Sequence, residues 1–284
     1  MKKVRFLHVP KTAGSSFTRC LSRIYGARYL KANWFTFRGE NFQEDLERYH
    51  QLDPARRAAL VMVTGHAPLV TGIEEIDALP TVTFLRDPVE RTKSLCQHVS
   101  EGKSPRFYSA KDFDLDAFLD HLPASVNSQT RHLLGVRGLE LPDLDPAAVA
   151  AQALDVLEHR LAAYGITEFF EESLLVFRKA LGWKAWPVYI SLNRKSTRRR
   201  LTFNERQIAR IRAMNEIDIL VYDAARARFE EHLREDAAFL RAEMRRFRVR
   251  QALATPLLAV YRVESTLRWM RNKRRARRIA PDVR

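Results

Sequence analysis

The chain has 284 residues, of which 46% are hydrophobic and 29% are charged, a composition typical of a globular protein with a sizeable apolar core. It contains no run of about 18 uninterrupted apolar residues, which argues against a membrane span, and its first residues do not resemble a secretory signal. The net charge is +15, but residues 241–284 carry 14 Lys and Arg against three acids, so the rest of the chain is only mildly basic. These features argue against a nucleic-acid-binding core. They favour a cytoplasmic protein, at most peripherally membrane-associated, whose basic end contacts something anionic.

Apolar runs and helical spacings alternate along the body of the chain. The apolar runs predict strands at residues 3–9, 60–64, 81–85 and 164–167. The helical spacings predict helices at residues 16–25, 88–99, 112–121, 146–163, 171–181 and 204–233. This alternation predicts an α/β fold, P-loop-like, with a mostly parallel sheet flanked by helices. We expect this domain to occupy residues 1–235.

Residues 236–284 are predicted to form a basic, amphipathic helical extension. Apolar residues at spacings of three and four, from Leu257 to Met270, run into the basic cluster at residues 271–278. Such a stripe is typical of a helix that packs on the body with a solvated basic end, and we favour this interpretation. A helix on an anionic membrane surface, or a homodimer seam, is the alternative.

The segment HVPKTAGSSF, residues 8–17, joins the first predicted strand to the helix that follows. A helix N-terminus after a turn of small residues attracts anions through its unpaired N–H groups and its dipole. Gly14 allows close approach of the backbone and Lys11 supplies a positive charge. Further hydroxyl donors are available from Thr12, Ser15 and Ser16. The lysine precedes the glycine, unlike in nucleotide triphosphatase loops, so an ordinary strand–helix turn is an equal alternative for this motif alone.

The segment TVTFLRDPVERTKSL, residues 81–95, has the same design. Arg86 lies at the carboxyl end of a predicted strand, where ligands bind in open α/β sheets. Asp87 is predicted to cap the next helix, with Pro88 at its first position, and Ser94 lies two turns further on. Since an arginine and a hydroxyl can hold a second phosphate, the two motifs together indicate a ligand with anions at both ends.

The two motifs, PKTAGSS and FLRDPVERTKS, resemble the nucleotide-binding elements of carbohydrate sulfotransferases, especially heparan sulfate 2-O- and 6-O-sulfotransferases and their bacterial relatives. The resemblance continues weakly to Phe229. It implies that the donor is 3′-phosphoadenosine 5′-phosphosulfate (PAPS), with the 3′-phosphate held by Arg86 and Ser94. It also implies that the 5′-phosphosulfate is held by Lys11, Thr12, Ala13, Gly14, Ser15 and Ser16. Ala13 departs from the family pattern, in which glycine is frequent at this position.

His66 follows a predicted strand end and Gly65, so we expect it at the same sheet edge as Lys11 and Arg86. An imidazole titrates near neutral pH, and His66 is therefore predicted to be the general base, a role that the resemblance supports. A histidine bonded to the backbone is the structural alternative. Lys11 is predicted to stabilise charge on the leaving phosphate, and His8 to be a core or supporting residue.

Two further polar segments have a functional and a structural interpretation. The basic loop at residues 193–201 corresponds to a nucleotide-contacting position of related enzymes, and a solvated charge run or an acceptor contact explains it equally well. The nucleotide ligands predicted there are Lys195, Ser196, Thr197 and Arg198. Asn127, Gln129 and Arg131 either orient the nucleotide or the acceptor, or form the polar face of an ordinary helix.

The sequence therefore favours a PAPS-dependent sulfotransferase that acts on a hydroxyl of a glycan or glycolipid. No cysteine or histidine spacing indicates a metal site, and Cys20 and Cys96 are predicted to be buried, reduced thiols. A small-molecule kinase is one alternative, although its metal would need a carboxylate such as Asp87, which is better used as a helix cap. A non-enzymatic protein that binds an anionic polymer or membrane through the tail is the other.

Overall fold

The computed structural model describes residues 3–26, 33–37, 41–101, 113–120, 126–136, 141, 144–189 and 200–256. Within these ranges one five-stranded sheet is formed, with the order β2-β3-β1-β4-β5 and every neighbouring pair parallel. The strands are β1 (Val4–Leu7), β2 (Trp34–Phe37), β3 (Met62–Gly65), β4 (Thr81–Leu85) and β5 (Ala163–Ile166). The predicted α/β class is confirmed.

Helices connect the strands and cover the sheet. In chain order they are α1 (Gly14–Ile24), α2 (Phe42–His50), α3 (Pro54–Ala58), α4 (Glu74–Asp77), α5 (Pro88–Ser100), α6 (Leu115–Asp120), α7 (Ser128–Leu134), α8 (Pro146–His159), α9 (Phe170–Leu181), α10 (Glu205–Met214), α11 (Glu216–Glu235) and α12 (residues 237–256). The prediction of a single helix at 204–233 is wrong, because the chain is interrupted at Asn215. The Asn215 side-chain amide donates to the Ile211 carbonyl, 2.9 Å away, and its backbone N–H donates to the Arg212 carbonyl, which closes a turn.

Both faces of the sheet are buried, as expected for parallel strands between helices. On one face, Val4 and Phe6 pack in a cluster with Phe17 of α1 and Phe177 of α9. On the other face, Leu7 and Leu85 pack with residues of α8 and α11. The two cysteines are free and buried, as predicted. This packing fixes the carboxyl ends of the strands, from which the site is built.

The predicted C-terminal extension is helical over its described part. Leu240 and Phe247 of α12 are buried in the same cluster as Phe6 and Phe17. The apolar stripe from Leu257 and the basic cluster at 271–278 lie outside the described residues. The domain boundary at residue 235 stays a prediction. None of the helices in the described ranges has the length and apolarity needed to cross a bilayer.

Candidate active site

The carboxyl ends of three adjacent strands bring the predicted site residues together. β1 is the central strand, with Leu7 in register with Gly65 of β3 and with Thr83 of β4. The segments that follow these strands contain Lys11, His66 and Arg86. A hydrogen bond of 3.1 Å from Arg86 Nη1 to the Lys11 carbonyl joins the first and second motifs directly.

The loop between β1 and α1 has an unusual backbone. Lys11 and Ala13 have positive φ values of 72° and 64°, in the left-handed region that glycine adopts most readily. The Thr12 hydroxyl donates to the Val9 carbonyl at 2.8 Å, so its proton stays inside the loop. α1 then starts at Gly14, and its first turn presents backbone N–H groups to the same edge. The glycine that the family pattern favours at Ala13 thus has a conformational reason.

His8 lies between this loop and His66. A Cβ atom on Gly14 would be 1.8 Å from His8 Nε2, so any other residue at position 14 would have to displace the His8 ring. The His8 ring stacks on Phe6, with centroids 5.2 Å apart, and its centroid is 4.5 Å from that of His66. Burial, with smaller electrostatic contributions from His66, His132 and Lys11, lowers the pKa of His8 to about 3, so the ring is neutral at physiological pH. The expected supporting position of His8 agrees with these contacts.

His66 is held in one tautomer by the backbone of His8. Its Nδ1 lies 2.8 Å from the His8 carbonyl oxygen, and because a carbonyl can only accept, Nδ1 carries the proton. The lone pair of the neutral ring is therefore on Nε2. Burial lowers the pKa of His66 below its usual 6.5, against a smaller opposing effect of this hydrogen bond. Gly65 makes the preceding turn at a φ of 124°, where a Cβ would lie 2.0 Å from the Phe37 carbonyl oxygen.

A buried arginine that sequence reasoning missed holds the segment after His66. Arg5 of β1 is 2% exposed and donates to the carbonyls of Pro68 and Leu69 at 2.5 and 2.6 Å. It also forms an ion pair of 3.0 Å with Asp77, whose carboxylate accepts the backbone N–H of Thr71. The signal that could have revealed this contact is a charged residue inside an otherwise apolar strand.

Arg86 is supported by helix α7. The Gln129 side chain accepts the Arg86 backbone N–H and donates to the Arg86 carbonyl, both at 2.9 Å. Asp87 caps α5 as predicted, accepting the Glu90 N–H at 2.8 Å. Ser94 lies half-buried on α5, two turns from Arg86. Gln129 had two interpretations: that it orients the ligands, or that it forms the polar face of an ordinary helix. The structure supports the first, because its side chain binds the backbone of Arg86, a predicted nucleotide ligand.

Charged side chains of both signs surround Arg86. Arg91 and Arg131 are both buried, and burial lowers the pKa of each, while the carboxylate of Asp218 opposes this shift. Arg86 and Arg131 also act on Arg91 through like charge. A group of arginines around one buried carboxylate is suited to a dianionic phosphate.

No cluster of three or more His, Cys, Asp or Glu side chains that could hold a metal occurs in the described part of the chain.

The remaining predicted ligands are only partly described. Ser15 is exposed and Ser16 half-buried in the first turn of α1, on the side of the loop. The four predicted ligands of the basic loop, Lys195, Ser196, Thr197 and Arg198, lie outside the described residues. The assignment of nucleotide-binding roles to all of these residues stays a prediction.

Comparison with known proteins supplies the family. The sequence profile described as galactose-3-O-sulfotransferase matches residues 1–259. Human galactose-3-O-sulfotransferase 3 is 30% identical over 180 residues, which are 59% of this chain and 41% of the human protein. The mouse protein of the same name is 28% identical over 160 residues, which are 52% of this chain and 37% of the mouse protein. The chain therefore spans less than half the length of these curated relatives.

The family profile covers most of the chain, including every predicted site residue. The resemblance to carbohydrate sulfotransferases is thereby confirmed, but the branch is the galactose-3-O-sulfotransferases and not the heparan sulfate enzymes. The chain belongs to the galactose-3-O-sulfotransferase family.

Proposed function

We propose that the protein is a PAPS-dependent sulfotransferase that transfers a sulfuryl group to the 3-hydroxyl of galactose in a glycan or glycolipid. The observation that carries this proposal is the convergence of His66, Lys11 and Arg86 at one sheet edge in a member of this family. The galactose acceptor is supported by the family and by the names of the human and mouse relatives.

The residues present fit the donor. PAPS carries a 5′-phosphosulfate and a 3′-phosphate, and it supplies the sulfuryl group and a phosphate leaving group. The first turn of α1, with Lys11, would hold the 5′ end by N–H donors and charge. Arg86 and Ser94 would hold the 3′-phosphate, with Arg91 and Arg131 nearby. Lys11 would stabilise the negative charge that develops on the leaving oxygen.

His66 would act as the general base. Its Nδ1 proton is held by the His8 carbonyl, so Nε2 is the atom that can accept the proton of an acceptor hydroxyl. A lowered pKa keeps the ring unprotonated at pH 7, which is the state that a base requires. The hydroxyl oxygen thereby becomes nucleophilic at the same edge where the donor loop ends.

The kinase alternative loses its proposed metal ligand. Asp87 is the carboxylate that the sequence offers for this role, and its side chain accepts the N–H of Glu90 as a helix cap. The tail-binding alternative depends on the basic tail at residues 241–284, of which residues 257–284 lie outside the described structure. Neither alternative has an observation that favours it over sulfuryl transfer.

The donor site is tested by calorimetric titration with 3′-phosphoadenosine 5′-phosphate (PAP) without magnesium, beside ATP with magnesium. We expect metal-free binding of PAP that weakens about tenfold or more in Lys11→Ala and Arg86→Ala, because each removes a charge-assisted contact. Lys179→Ala is the matched control, since Lys179 lies on α9, pairs with Asp236 and is none of the predicted site residues. Preference for ATP with magnesium would contradict the proposal.

The acceptor is tested by transfer of radioactive sulfate from PAPS to a β-galactoside and to its 3-O-methyl derivative. We expect transfer to the first compound only, and transfer that is lost in His66→Ala while PAP binding is kept. Equal transfer to both galactosides would contradict 3-O regiospecificity without contradicting sulfuryl transfer.

A further inference from the structure

Gln129 and Arg86 form a two-point contact between a side-chain amide and a peptide backbone. The Arg86 N–H donates to Oε1 and the Arg86 carbonyl accepts from Nε2, both at 2.9 Å. Gln129 is 1% exposed, so the pair is shielded from water. A buried amide that satisfies both polar groups of one residue fixes the backbone of that residue in one orientation.

Gln129 is itself held by a residue far along the chain. Asp218 of α11 accepts the backbone N–H groups of Gln129 and Thr130, at 3.0 and 2.8 Å, and the Thr130 hydroxyl at 2.7 Å. In return, the Asp218 N–H donates to the Asn127 side chain at 3.1 Å. Asp218 is fully buried, and it therefore ties the first turn of α7 to α11.

Arg86 links Gln129 to the first motif, because it is bonded to both. The Arg86 guanidinium has five N–H donors, and one of them reaches the Lys11 carbonyl at 3.1 Å. The position of this guanidinium depends on the backbone at the end of β4, where Gln129 is attached. A shift of the Arg86 backbone would therefore move the guanidinium away from Lys11 and from the 3′-phosphate that it is proposed to bind.

We propose that Gln129 is a positioning residue that holds Arg86 in place for the 3′-phosphate of the nucleotide. This inference rests on the proposed function and adds a residue that does not itself touch the ligand. Gln129 acts mainly on the 3′ end of the nucleotide, because the loop at Lys11 keeps the Thr12–Val9 hydrogen bond of its own when the Arg86–Lys11 contact weakens.

The experiment compares the affinities for PAP and for AMP, which lacks the 3′-phosphate, so that their ratio reports the 3′-phosphate alone. Gln129→Met keeps the volume and removes both hydrogen bonds. We expect the PAP-to-AMP affinity ratio to fall about tenfold, which is about 1.4 kcal/mol, with AMP affinity changed less than about threefold. Arg86→Ala is the reference for complete loss of the 3′ contact.

Gln251→Met is a matched control, because Gln251 forms the same two-point contact with the backbone of Tyr189, at 2.9 and 2.8 Å. This contact involves α12 and none of the site residues. We expect the affinity ratio of this variant to equal that of the wild type. An equal fall of the ratio in both glutamine variants would overturn the positioning role, since the effect would then be a general loss of stability.

Gln129→Glu provides a second measurement if the methionine variant does not fold. Its carboxylate keeps an acceptor for the Arg86 N–H but opposes the Arg86 carbonyl, and protonation restores a donor there. At pH 8, where the carboxyl is ionised, we therefore expect the affinity ratio to fall below that of the wild type. A ratio that stays at the wild-type value in both Gln129 variants, while Arg86→Ala lowers it, would overturn the inference. Absence of any PAP preference in the wild type would contradict the proposed function itself.

Discussion

Replacement of Gly14 by alanine should destabilise the protein through one specific clash. The added Cβ would lie 1.8 Å from His8 Nε2, whereas ordinary contact begins at 3.4 Å, so the ring would have to move by about 1.6 Å. Phe6 on one side and His66 on the other restrict this movement, with ring centroids 5.2 and 4.5 Å away. Overpacking of this kind costs about 1–3 kcal/mol in the free energy of unfolding.

Urea unfolding of four proteins measures this clash: the wild type, Gly14→Ala, His8→Ala and the double variant. Because His8→Ala removes the ring that the new methyl group meets, we expect the cost of Gly14→Ala to fall below about 0.5 kcal/mol in that background. PAP affinity should decrease in Gly14→Ala as well, since the loop backbone must shift. The same cost in both backgrounds would refute the reasoning, because the strain would then lie in the helix and not in the contact with His8.

Four further predictions follow from the site. Ala13→Gly should leave the free energy of unfolding in urea unchanged or raise it by up to about 1 kcal/mol. The reason is that relief of the strain at the left-handed φ of 64° offsets the flexibility that glycine adds to the unfolded chain, and a clear destabilisation would contradict this. Burial lowers the pKa of His8 to about 3 and that of His132 to about 4, so below pH 6.5 the unfolded chain binds more protons than the folded one. We therefore expect each histidine to lower the free energy of unfolding by about 2 kcal/mol between pH 7 and pH 5, as measured by urea unfolding. A free energy of unfolding that stays constant over this range would contradict the burial of these histidines as neutral rings. His66→Gln should lower kcat about 10²–10⁴-fold in the sulfate transfer assay with unchanged PAP affinity, and a parallel loss of affinity would argue against the base role. Arg5→Met should lower the free energy of unfolding by about 3 kcal/mol in thermal or urea unfolding, because it leaves the buried Pro68 and Leu69 carbonyls without their donor. A decrease below about 0.5 kcal/mol would show that water replaces the guanidinium as the donor.

The local features of the fold could be predicted from the sequence. The strand at Thr81–Leu85 has the predicted bounds, and the helix after it begins with the predicted cap at Asp87. These features depend on residues that are neighbours in the chain. β2 (Trp34–Phe37) was missed because it lies at the edge of the sheet, where the exposed Thr36 interrupts its apolar run.

The contacts that complete the site could not be predicted in the same way. Gln129 meets Arg86 across 43 residues, and Asp218 meets Gln129 across 89, and no local pattern encodes such a distance. The left-handed backbone of Lys11 and Ala13 also has no signal, because neither residue is the glycine that this conformation favours. The sequence indicates which side chains carry the chemistry, and tertiary contacts decide how they are held.

The cap that Asp218 places on α7 has a consequence for the synthesis of the protein. The chain leaves the ribosome from its N-terminus, so β1, the donor loop and Arg86 are made long before Asp218. Until α11 has been made, the first turn of α7 lacks its buried carboxylate and Gln129 lacks its anchor. The nucleotide site is therefore completed late in translation, and a nascent chain that ends before α11 should not yet hold Arg86 in its final position.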